Sequence, residues 1–420
     1  MRILVDQSGY DLLNIGDVAM LQSCVARLRQ LWPDGEILVI CHAPGRLASY
    51  CPGTIAIGQT YADLPLFRMF PRKPRLAAEQ AWKMAAPYAS GRLGTGRVRL
   101  SPPRTAIQAV RTADLVVASG GGYVLDSFWW HAVGVLSLLS LAQRLGKPTA
   151  MFGQAVGPIS QRLLRLQTRA VLPRLAALGL REDRIGRDLA LSLGTPPSAV
   201  TVTGDDALEL IADAAPRDGD ALGVNMRVAG YAGVDSATAA AVGDVLLRTA
   251  KEFDAPVVAL PVSRYPVDGD LDAIRALLHQ EGSGADIVLD DLTTPQALVT
   301  AVGRCRAIVT GSYHAAVFGL AQGVPAVCVS KSSYYDAKFG GLGALFPGAC
   351  FAGSLGQPDF AGWLRAAIGQ AWQLPARARA EARDAAARQR RAGREAYVRL
   401  RDVVERGRWW SPVTSGAGRV

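Results

Sequence analysis

The stretch from Thr310 to Gly343 concentrates side chains that can exchange protons or bind anions. It contains His314, one of four histidines in the chain, and Lys331 and Lys338, two of only six lysines. His314 lies where an apolar strand-like run gives way to an apolar helix-like run, and both lysines follow the next strand-like run. A histidine there can act as a general acid or base near neutral pH, and the lysines add positive charge. A capping histidine with solvated lysines is the alternative interpretation.

The residues around His314 also predict a site that binds an anion. Ser312 and Tyr313 open the predicted helix, whose first backbone amides and dipole favour a phosphate. Arg227 ends the strand-like run "GVNMRV", where a ligand would meet its guanidinium. We therefore group Ser312, Tyr313, Arg227, Lys331 and Lys338 as predicted phosphate-binding residues around a catalytic His314.

Two other strand-to-helix connections predict a second side of the site. In "SGYDLLNIGD", Gly16 would let a ligand approach the backbone and Asn14 would hydrogen-bond it, while Asp17 is either part of the site or the N-cap of the first helix. In "SGGGYVLD", three glycines after a strand would leave amides open to an anion or a sugar hydroxyl, and the ring of Tyr123 would offer a stacking surface. The glycines are Gly120, Gly121 and Gly122.

Strands that alternate with helices position these connections. Strand-like runs recur every thirty-odd residues in two series, which predicts an α/β fold with parallel sheets and two Rossmann-like domains facing across a cleft, the GT-B-like arrangement. The predicted N-terminal domain spans residues 1–215, with a Pro-, Arg- and Gly-rich flexible insertion at 60–105. The predicted C-terminal domain spans 216–372, and residues 373–420 form an Arg- and Ala-rich helix and tail.

Composition limits the class of protein. The chain has 420 residues, of which half are hydrophobic, and a net charge of +10 carried mainly by arginine. The sequence has no basic region with interleaved aromatics of the kind that would indicate nucleic-acid binding. Its six cysteines are scattered and lack metal-ligand spacing, which fits a reducing cytoplasm. No apolar run is a convincing membrane span. We expect a cytoplasmic protein, with the Arg-rich C-terminal helix as a candidate for peripheral contact with an anionic membrane.

Several sequence pieces together resemble the polysaccharide pyruvyl transferase family. They are, in chain order, "NIGD", "GGGYVLD", "GQAVGP", "LRED", "GDDAL" and "GSYHAAVFGLAQGVPAV". The resemblance implies a two-domain, GT-B-like enzyme that transfers a pyruvyl unit from phosphoenolpyruvate to two hydroxyls of a sugar and releases phosphate. It implies a saccharide or lipid-linked saccharide acceptor in exopolysaccharide or cell-surface polymer synthesis, and no metal or other cofactor.

One position departs from the family pattern. The family often reads Ser-x-Arg-x-His before its apolar helix, whereas Ser312 occupies the arginine position here. A serine lacks the charge and bidentate geometry of arginine. Arg227, Lys331 or Lys338 would then have to hold the donor phosphate.

Two other functions stay open at this stage. A GT-B glycosyltransferase would use a nucleotide-sugar donor, but such enzymes usually need an acidic residue on the helix after the histidine, and there is none between His314 and Val324. Asp336 lies only a little further on. A non-catalytic sugar-binding protein of the same fold would tolerate the missing arginine.

Overall fold

The computed structural model describes residues 1–58, 106–211, 219–227, 234, 236–267, 269–278, 287–288 and 292–407. These residues form two parallel sheets flanked by helices, as the sequence predicts. The strands are apolar at most positions, and Ile3, Leu4 and Val5 of the first strand are fully buried. Continuous apolar runs are typical of parallel sheets that helices cover on both faces.

The first sheet has eight strands in the order β3-β2-β1-β4-β6-β7-β8, with β5 paired to β6. The strands are β1 (Arg2–Asp6), β2 (Glu36–Ile40), β3 (Ile55–Ile57), β4 (Leu115–Ala118), β5 (Gly121–Val124), β6 (Thr149–Val156), β7 (Ala177–Leu180) and β8 (Val200–Val202). The helices are α1 (Ile15–Leu31), α2 (Pro44–Tyr50), α3 (Ala106–Thr112), α4 (Trp129–Arg144), α5 (Arg162–Val171) and α6 (Gly186–Ser192).

The second sheet has six strands in the order β11-β10-β9-β12-β13-β14. The strands are β9 (Ala221–Asn225), β10 (Val257–Ala259), β11 (Ile287–Val288), β12 (Cys305–Thr310), β13 (Ala326–Ser330) and β14 (Cys350–Ser354). The helices are α7 (Ser236–Glu252), α8 (Asp270–Leu278), α9 (Pro295–Val302), α10 (Tyr313–Gln322), α11 (Ser333–Leu345), α12 (Phe360–Trp372) and α13 (Ala376–Glu405).

The long helix α13 returns from the second sheet to the first. Ala382, Ala385 and Ala386 are buried in the same apolar cluster as α10, while the Tyr397 ring stacks on Phe152 of β6 with centroids 3.8 Å apart. The predicted boundary near residue 216 and the predicted insertion at 60–105 lie outside the described residues.

The two halves also meet through the loop that precedes α1. The amide of Ile15 donates to the carbonyl of Val262 at 2.9 Å, and the amide of Arg264 donates to the carbonyl of Leu13 at 2.8 Å. Asn14 and Ser263 lie between these bonds as an antiparallel bridge. These backbone hydrogen bonds fix the loop after β1 of the first sheet against the loop after β10 of the second.

Each sheet reverses its strand order once, between β1 and β4 in the first and between β9 and β12 in the second. The carboxyl ends of strands at such a reversal form the crevice where α/β proteins bind ligands. The loops after β1 and β9 carry Asn14 and Arg227, and His314 lies in the first turn of α10, directly after the loop that follows β12. The topology therefore directs several predicted site residues toward one crevice. Within the described ranges, no helix combines the length and the apolar character needed to cross a membrane.

Candidate active site

A cavity of about 400 Å³ opens between the two domains at the carboxyl ends of their strands. Nine of the predicted site residues line it: Asn14, Asp17, Gly122, Tyr123, Arg227, Ser312, Tyr313, His314 and Lys338. The predicted residues Gly16, Gly120, Gly121 and Lys331 are not in its wall. Lining residues that the sequence analysis did not single out include Ser8, His131, Arg181, Ser263, Asp270, Tyr334 and Tyr335.

His314 is paired with a buried aspartate. Its Nε2 lies 3.7 Å from Oδ2 of Asp205, which follows β8 in the first domain. Burial alone would raise the pKa of Asp205, but the His314 imidazole and the Arg181 guanidinium lower it below its usual range. The carboxylate is thus an anion within ion-pair distance of the imidazole across the domain interface, and neither of these two atoms has a hydrogen-bond partner among the described residues. The contact places a candidate proton-transfer group of the second domain beside a negative charge of the first.

Arg181 is the most deeply buried cation in the cavity wall, with 1% of its surface exposed. Its Nη1 lies 3.7 Å from Asp205, its Cζ lies 4.3 Å from the centre of the Tyr313 ring, and its Nη2 has no hydrogen-bond partner among the described residues. A buried guanidinium with an unused donor is costly unless a ligand satisfies it. Arg181 is therefore a strong candidate for contact with an anion.

Arg227 reaches the cavity from the second domain, and a carboxylate fixes its position. Its Nη1 donates to Oδ1 of Asp270 at 2.8 Å. The other oxygen of Asp270 accepts hydrogen bonds from the side chain of Asn225 and from the amides of Val262 and Ser263. Because the carboxylate is held at both oxygens, the guanidinium it anchors is preorganised.

Lys338 extends from α11 into the same region. Its ammonium lies 4.0 Å from the ring centre of Tyr334, and Tyr313 and Tyr335 are within 5.8 Å. Burial, reinforced by the positive charge of Arg181, lowers the pKa of Lys338 well below its usual value. The amine is therefore set to gain a proton when negative charge enters the cavity.

Arg181 and Lys338 converge beside Gly122. A side chain at Gly122 would meet Nη2 of Arg181 at 2.3 Å and Nζ of Lys338 at 3.1 Å. The glycine is therefore required for both cations to approach the same side of the cavity.

Asp17 provides an acidic group on the first-domain side of the cavity. Burial raises its pKa, although His314, a hydrogen bond with Ser8 and Lys338 act in the opposite direction. A carboxylate with a raised pKa is a stronger base than an exposed one, so Asp17 is suited to accept a proton from a hydroxyl group.

The N-terminus of α10 differs in detail from the prediction. The amide of Ser312 donates to Oγ1 of Thr310 at 2.8 Å, so this amide is not available to a ligand. The Ser312 hydroxyl makes no capping hydrogen bond to the helix. The amides of the first helical turn, from Tyr313 onward, have no acceptor within the helix. Anion binding here would use these amides and the Ser312 hydroxyl.

The N-terminus of α1 also differs from the prediction. Asn14, and not Asp17, is the N-cap, and its Oδ1 accepts from the amides of Gly16 and Asp17 at 2.9 and 3.2 Å. Gly16 does not leave room for a ligand. A Cβ at this position would lie 2.0 Å from Nδ1 of His314, because the imidazole packs against the backbone of α1.

Replacing Gly16 with alanine should therefore displace the catalytic candidate His314. A shift of about 1 Å in a reacting group can lower turnover by about 10²-fold. We expect turnover to fall on that scale, which initial-rate measurements would check. Gly45→Ala is a matched control, because a Cβ there meets nothing within 4 Å. Wild-type turnover in Gly16→Ala would show that the position of His314 is not important.

Two residues of the triple glycine, Gly121 and Gly122, belong to strand β5 and not to the predicted open loop. Gly121 pairs with Gln154 of β6, and side chains at Gly120 and Gly121 would collide with Met20 and Tyr123. Tyr123 is 4% exposed, and its hydroxyl donates to the carbonyl of Ser119 at 3.3 Å. These residues pack the cavity wall, and Gly122 is the glycine that lines the cavity.

Lys331 is placed away from the cavity. Its Nζ donates to Oγ1 of Thr238 at 2.9 Å on the exposed side of the second domain. It precedes α11, whereas Lys338 lies inside that helix and faces inward. The two lysines therefore do not form one phosphate-binding pair.

Comparison with solved structures shows the fold class. A glycotransferase of kitacinnamycin matches with a TM-score of 0.54 at 13% identity, over 97% of this chain and 98% of that one. S. aureus MnaA, solved with UDP, matches with a TM-score of 0.56 at 11% identity over 91% of each chain. UDP-GlcNAc 2-epimerase from Neisseria meningitidis matches with a TM-score of 0.52 at 12% identity, over 91% of this chain and 94% of that one. No curated protein sequence matches the chain significantly.

Two Rossmann-like domains with a polar cavity between them place this chain in the GT-B-like fold class. A sequence profile of the polysaccharide pyruvyl transferase family matches residues 14–333. The chain belongs to that family, and the predicted resemblance is confirmed.

Proposed function

We propose that the protein transfers a pyruvyl group from phosphoenolpyruvate to two hydroxyls of a saccharide and forms a ketal. The observation that carries the proposal is the convergence of Arg181 and Lys338 on one side of the cavity, next to the pair of His314 and Asp205. Phosphoenolpyruvate carries its phosphate and its carboxylate on C2, and the neighbouring methylene carbon must be protonated. The cavity supplies cations for the phosphate and the carboxylate, and a proton-transfer group for the methylene carbon.

The residues have distinct roles in this reaction. Arg181 and Lys338 hold the phosphate with the α10 amides, and Arg227 holds the donor from the second domain. His314 protonates the methylene carbon, so that C2 becomes cation-like and accepts a sugar hydroxyl oxygen. Asp17 takes the proton of that hydroxyl.

Phosphate then leaves with the electrons of its C–O bond, and a second hydroxyl attacks C2 to close the ketal. One of the two hydroxyl protons restores the proton that His314 gave to the methyl group. The other protonates the released phosphate. These reaction steps use no metal and no redox cofactor.

Arg181 supplies the charge that Ser312 lacks. It follows β7 directly in "LRED" and is buried beside Tyr313, the neighbour of Ser312. The planar guanidinium can bind phosphate or carboxylate in a bidentate manner. An arginine from the first domain thus replaces, in this proposal, the one expected before the histidine in the second.

The acceptor is proposed to be a saccharide, free or lipid-linked, on the way to a cell-surface or exopolysaccharide polymer. Asn14, Asp17 and the edge of Tyr123 face the cavity on the first-domain side, where this acceptor would bind. The described cysteines all carry free thiols, which suits a reaction in the reducing cytoplasm.

Donor identity can be tested by thermal unfolding of the full chain. A ligand at a hundred times its dissociation constant should stabilise the folded state by about 2.7 kcal/mol. We expect phosphoenolpyruvate to stabilise the protein more than inorganic phosphate or nucleotide sugars at equal concentration. Stabilisation by a nucleotide sugar alone would favour the glycosyltransferase alternative. Asp336, the acidic residue considered for that alternative, accepts a hydrogen bond from Ser330 and does not line the cavity.

Donor binding should also take up a proton at Lys338. Burial lowers the pKa of Lys338, and the negative charge of a bound donor should raise it. Between these two pKa values the complex binds more protons than the free protein, so donor affinity should fall as the pH rises. Titration calorimetry in buffers of different ionisation enthalpy would measure the uptake. Lys338→Met should abolish it, and unchanged uptake in that variant would exclude Lys338 as its source.

A further inference from the structure

Helix α5 presents a basic and apolar face to the outside of the first domain. Around this ten-residue helix, Leu164, Thr168 and Val171 are buried. The opposite arc carries exposed residues at helical spacing: Arg162, Leu163, Arg165, Leu166, Arg169 and Ala170. Leu163 and Leu166 are 44% and 57% exposed, which is high for leucine. We call Arg162, Leu163, Arg165, Leu166 and Arg169 the α5 face.

The charges of the α5 face are not neutralised within the described protein. None of Arg162, Arg165 and Arg169 forms an ion pair with a described residue. The sequence contains no Asp or Glu from residue 127 to residue 181, although it contains seven Arg and Lys there. Surface arginines of the C-terminal helix differ in this respect, because Arg394 binds Glu209 and Arg377 binds Glu381.

The α5 face begins beside the candidate active site. Asp126, immediately before α4, accepts hydrogen bonds from the amide and hydroxyl of Ser160 at 2.7 and 2.6 Å and from the amide of Gln161 at 3.1 Å. These bonds join the starts of α4 and α5. Asp126 also lines a cavity of about 120 Å³ together with Arg181 and Lys338. The half-buried Trp129 and Trp130, whose rings contact each other edge to face, open α4 shortly after Asp126.

We propose that the α5 face binds the surface of an anionic lipid bilayer and so holds the cavity mouth close to the membrane. A helix of ten residues is about 15 Å long and can lie in the interfacial plane. The two leucines would enter the boundary of the acyl chains, the arginines would reach lipid phosphates, and the tryptophan pair would lie at headgroup level. A soluble polyanion would be satisfied by the arginines alone, and the exposed leucines therefore favour a bilayer.

Co-sedimentation of the full chain with vesicles tests this proposal. We expect binding to phosphatidylcholine vesicles that contain phosphatidylglycerol, weaker binding at high salt, and little binding to pure phosphatidylcholine. Each arginine near an anionic surface contributes about fivefold to binding, so the triple change Arg162→Gln, Arg165→Gln and Arg169→Gln should weaken binding by about 10²-fold. The double change Leu163→Ser and Leu166→Ser should weaken it by about tenfold.

A second triple variant provides the matched control. Arg377→Gln, Arg388→Gln and Arg391→Gln remove the same charge from exposed positions of α13. This variant should bind within a few-fold of wild type. The proposal is overturned if wild type ignores anionic vesicles, if the α13 variant loses binding while the α5 variant keeps it, or if the leucine variant binds as wild type. In the last case, competition by heparin would identify a soluble polyanion as the partner.

Discussion

Turnover should fall by about 10²- to 10⁴-fold when His314 is replaced by glutamine, the usual contribution of a general acid or base. Glutamine keeps a polar side chain near Asp205 but cannot carry the proton to the donor carbon. The affinity for phosphoenolpyruvate should change only a few-fold, because Arg181, Arg227 and Lys338 remain. Single-turnover rates and donor titrations would separate the two effects.

Lys331→Ala is a suitable control for this experiment. Lys331 lies in the same stretch of sequence but outside the cavity, on Thr238. It should retain wild-type turnover and donor affinity. If His314→Gln turns over at the wild-type rate but unfolds at a much lower temperature, His314 has a structural role and the assignment of the acid is wrong.

Arg181→Gln should lower kcat/KM for the donor by about 10²- to 10³-fold, mainly through weaker donor binding. Removing one partner of a buried, hydrogen-bonded charge pair typically costs about 2–5 kcal/mol. Arg181→Lys should recover part of the loss, because it restores the charge without the planar fork. Initial rates at varied donor concentration would give both parameters.

The stability of these variants must be measured as well, since Arg181 also lies 3.7 Å from the buried Asp205. Arg187→Gln makes the same substitution at an exposed position of the same domain and should behave as wild type. Donor affinity that is unchanged in both Arg181 variants, with only the unfolding temperature lowered, would contradict a role in donor binding.

The fold could be predicted from sequence because its signals are local. Apolar runs such as Ile3–Val5 and the strand before Thr310 are continuous, as strands of a covered parallel sheet must be. The rule that ligands bind at the carboxyl ends of parallel strands then led to Arg227 and His314. Both line the cavity.

The sequence does not indicate the order of the strands in each sheet or which face of each helix points into the cavity. Arg181 follows β7 directly and Asp205 lies shortly after β8, much as Arg227 lies shortly after β9. The two residues belong to the family-like pieces "LRED" and "GDDAL". The same strand-end rule could have identified them. The approach of Asp205 to His314 and of Arg181 to Tyr313 depends on how the two domains face each other, which no local sequence pattern indicates.

Short-range packing explains the remaining errors. Gly16 lies two residues after Asn14 and resembles a ligand-binding glycine, but its missing side chain makes room for His314. Gly120 and Gly121 are small because Met20 and Tyr123 pack against them. A glycine needed for tertiary packing and a glycine needed for a ligand look the same in sequence.

The most direct test of the proposed reaction is to follow the donor carbon. The full chain would be incubated with phosphoenolpyruvate carrying carbon-13 at C2 and with a panel of methyl hexosides, and the products would be examined by NMR. We expect a ketal carbon signal on at least one saccharide and one released phosphate per ketal, both absent with His314→Gln. Transfer of a sugar from a nucleotide sugar in parallel reactions, with phosphoenolpyruvate left intact, would contradict the proposed reaction.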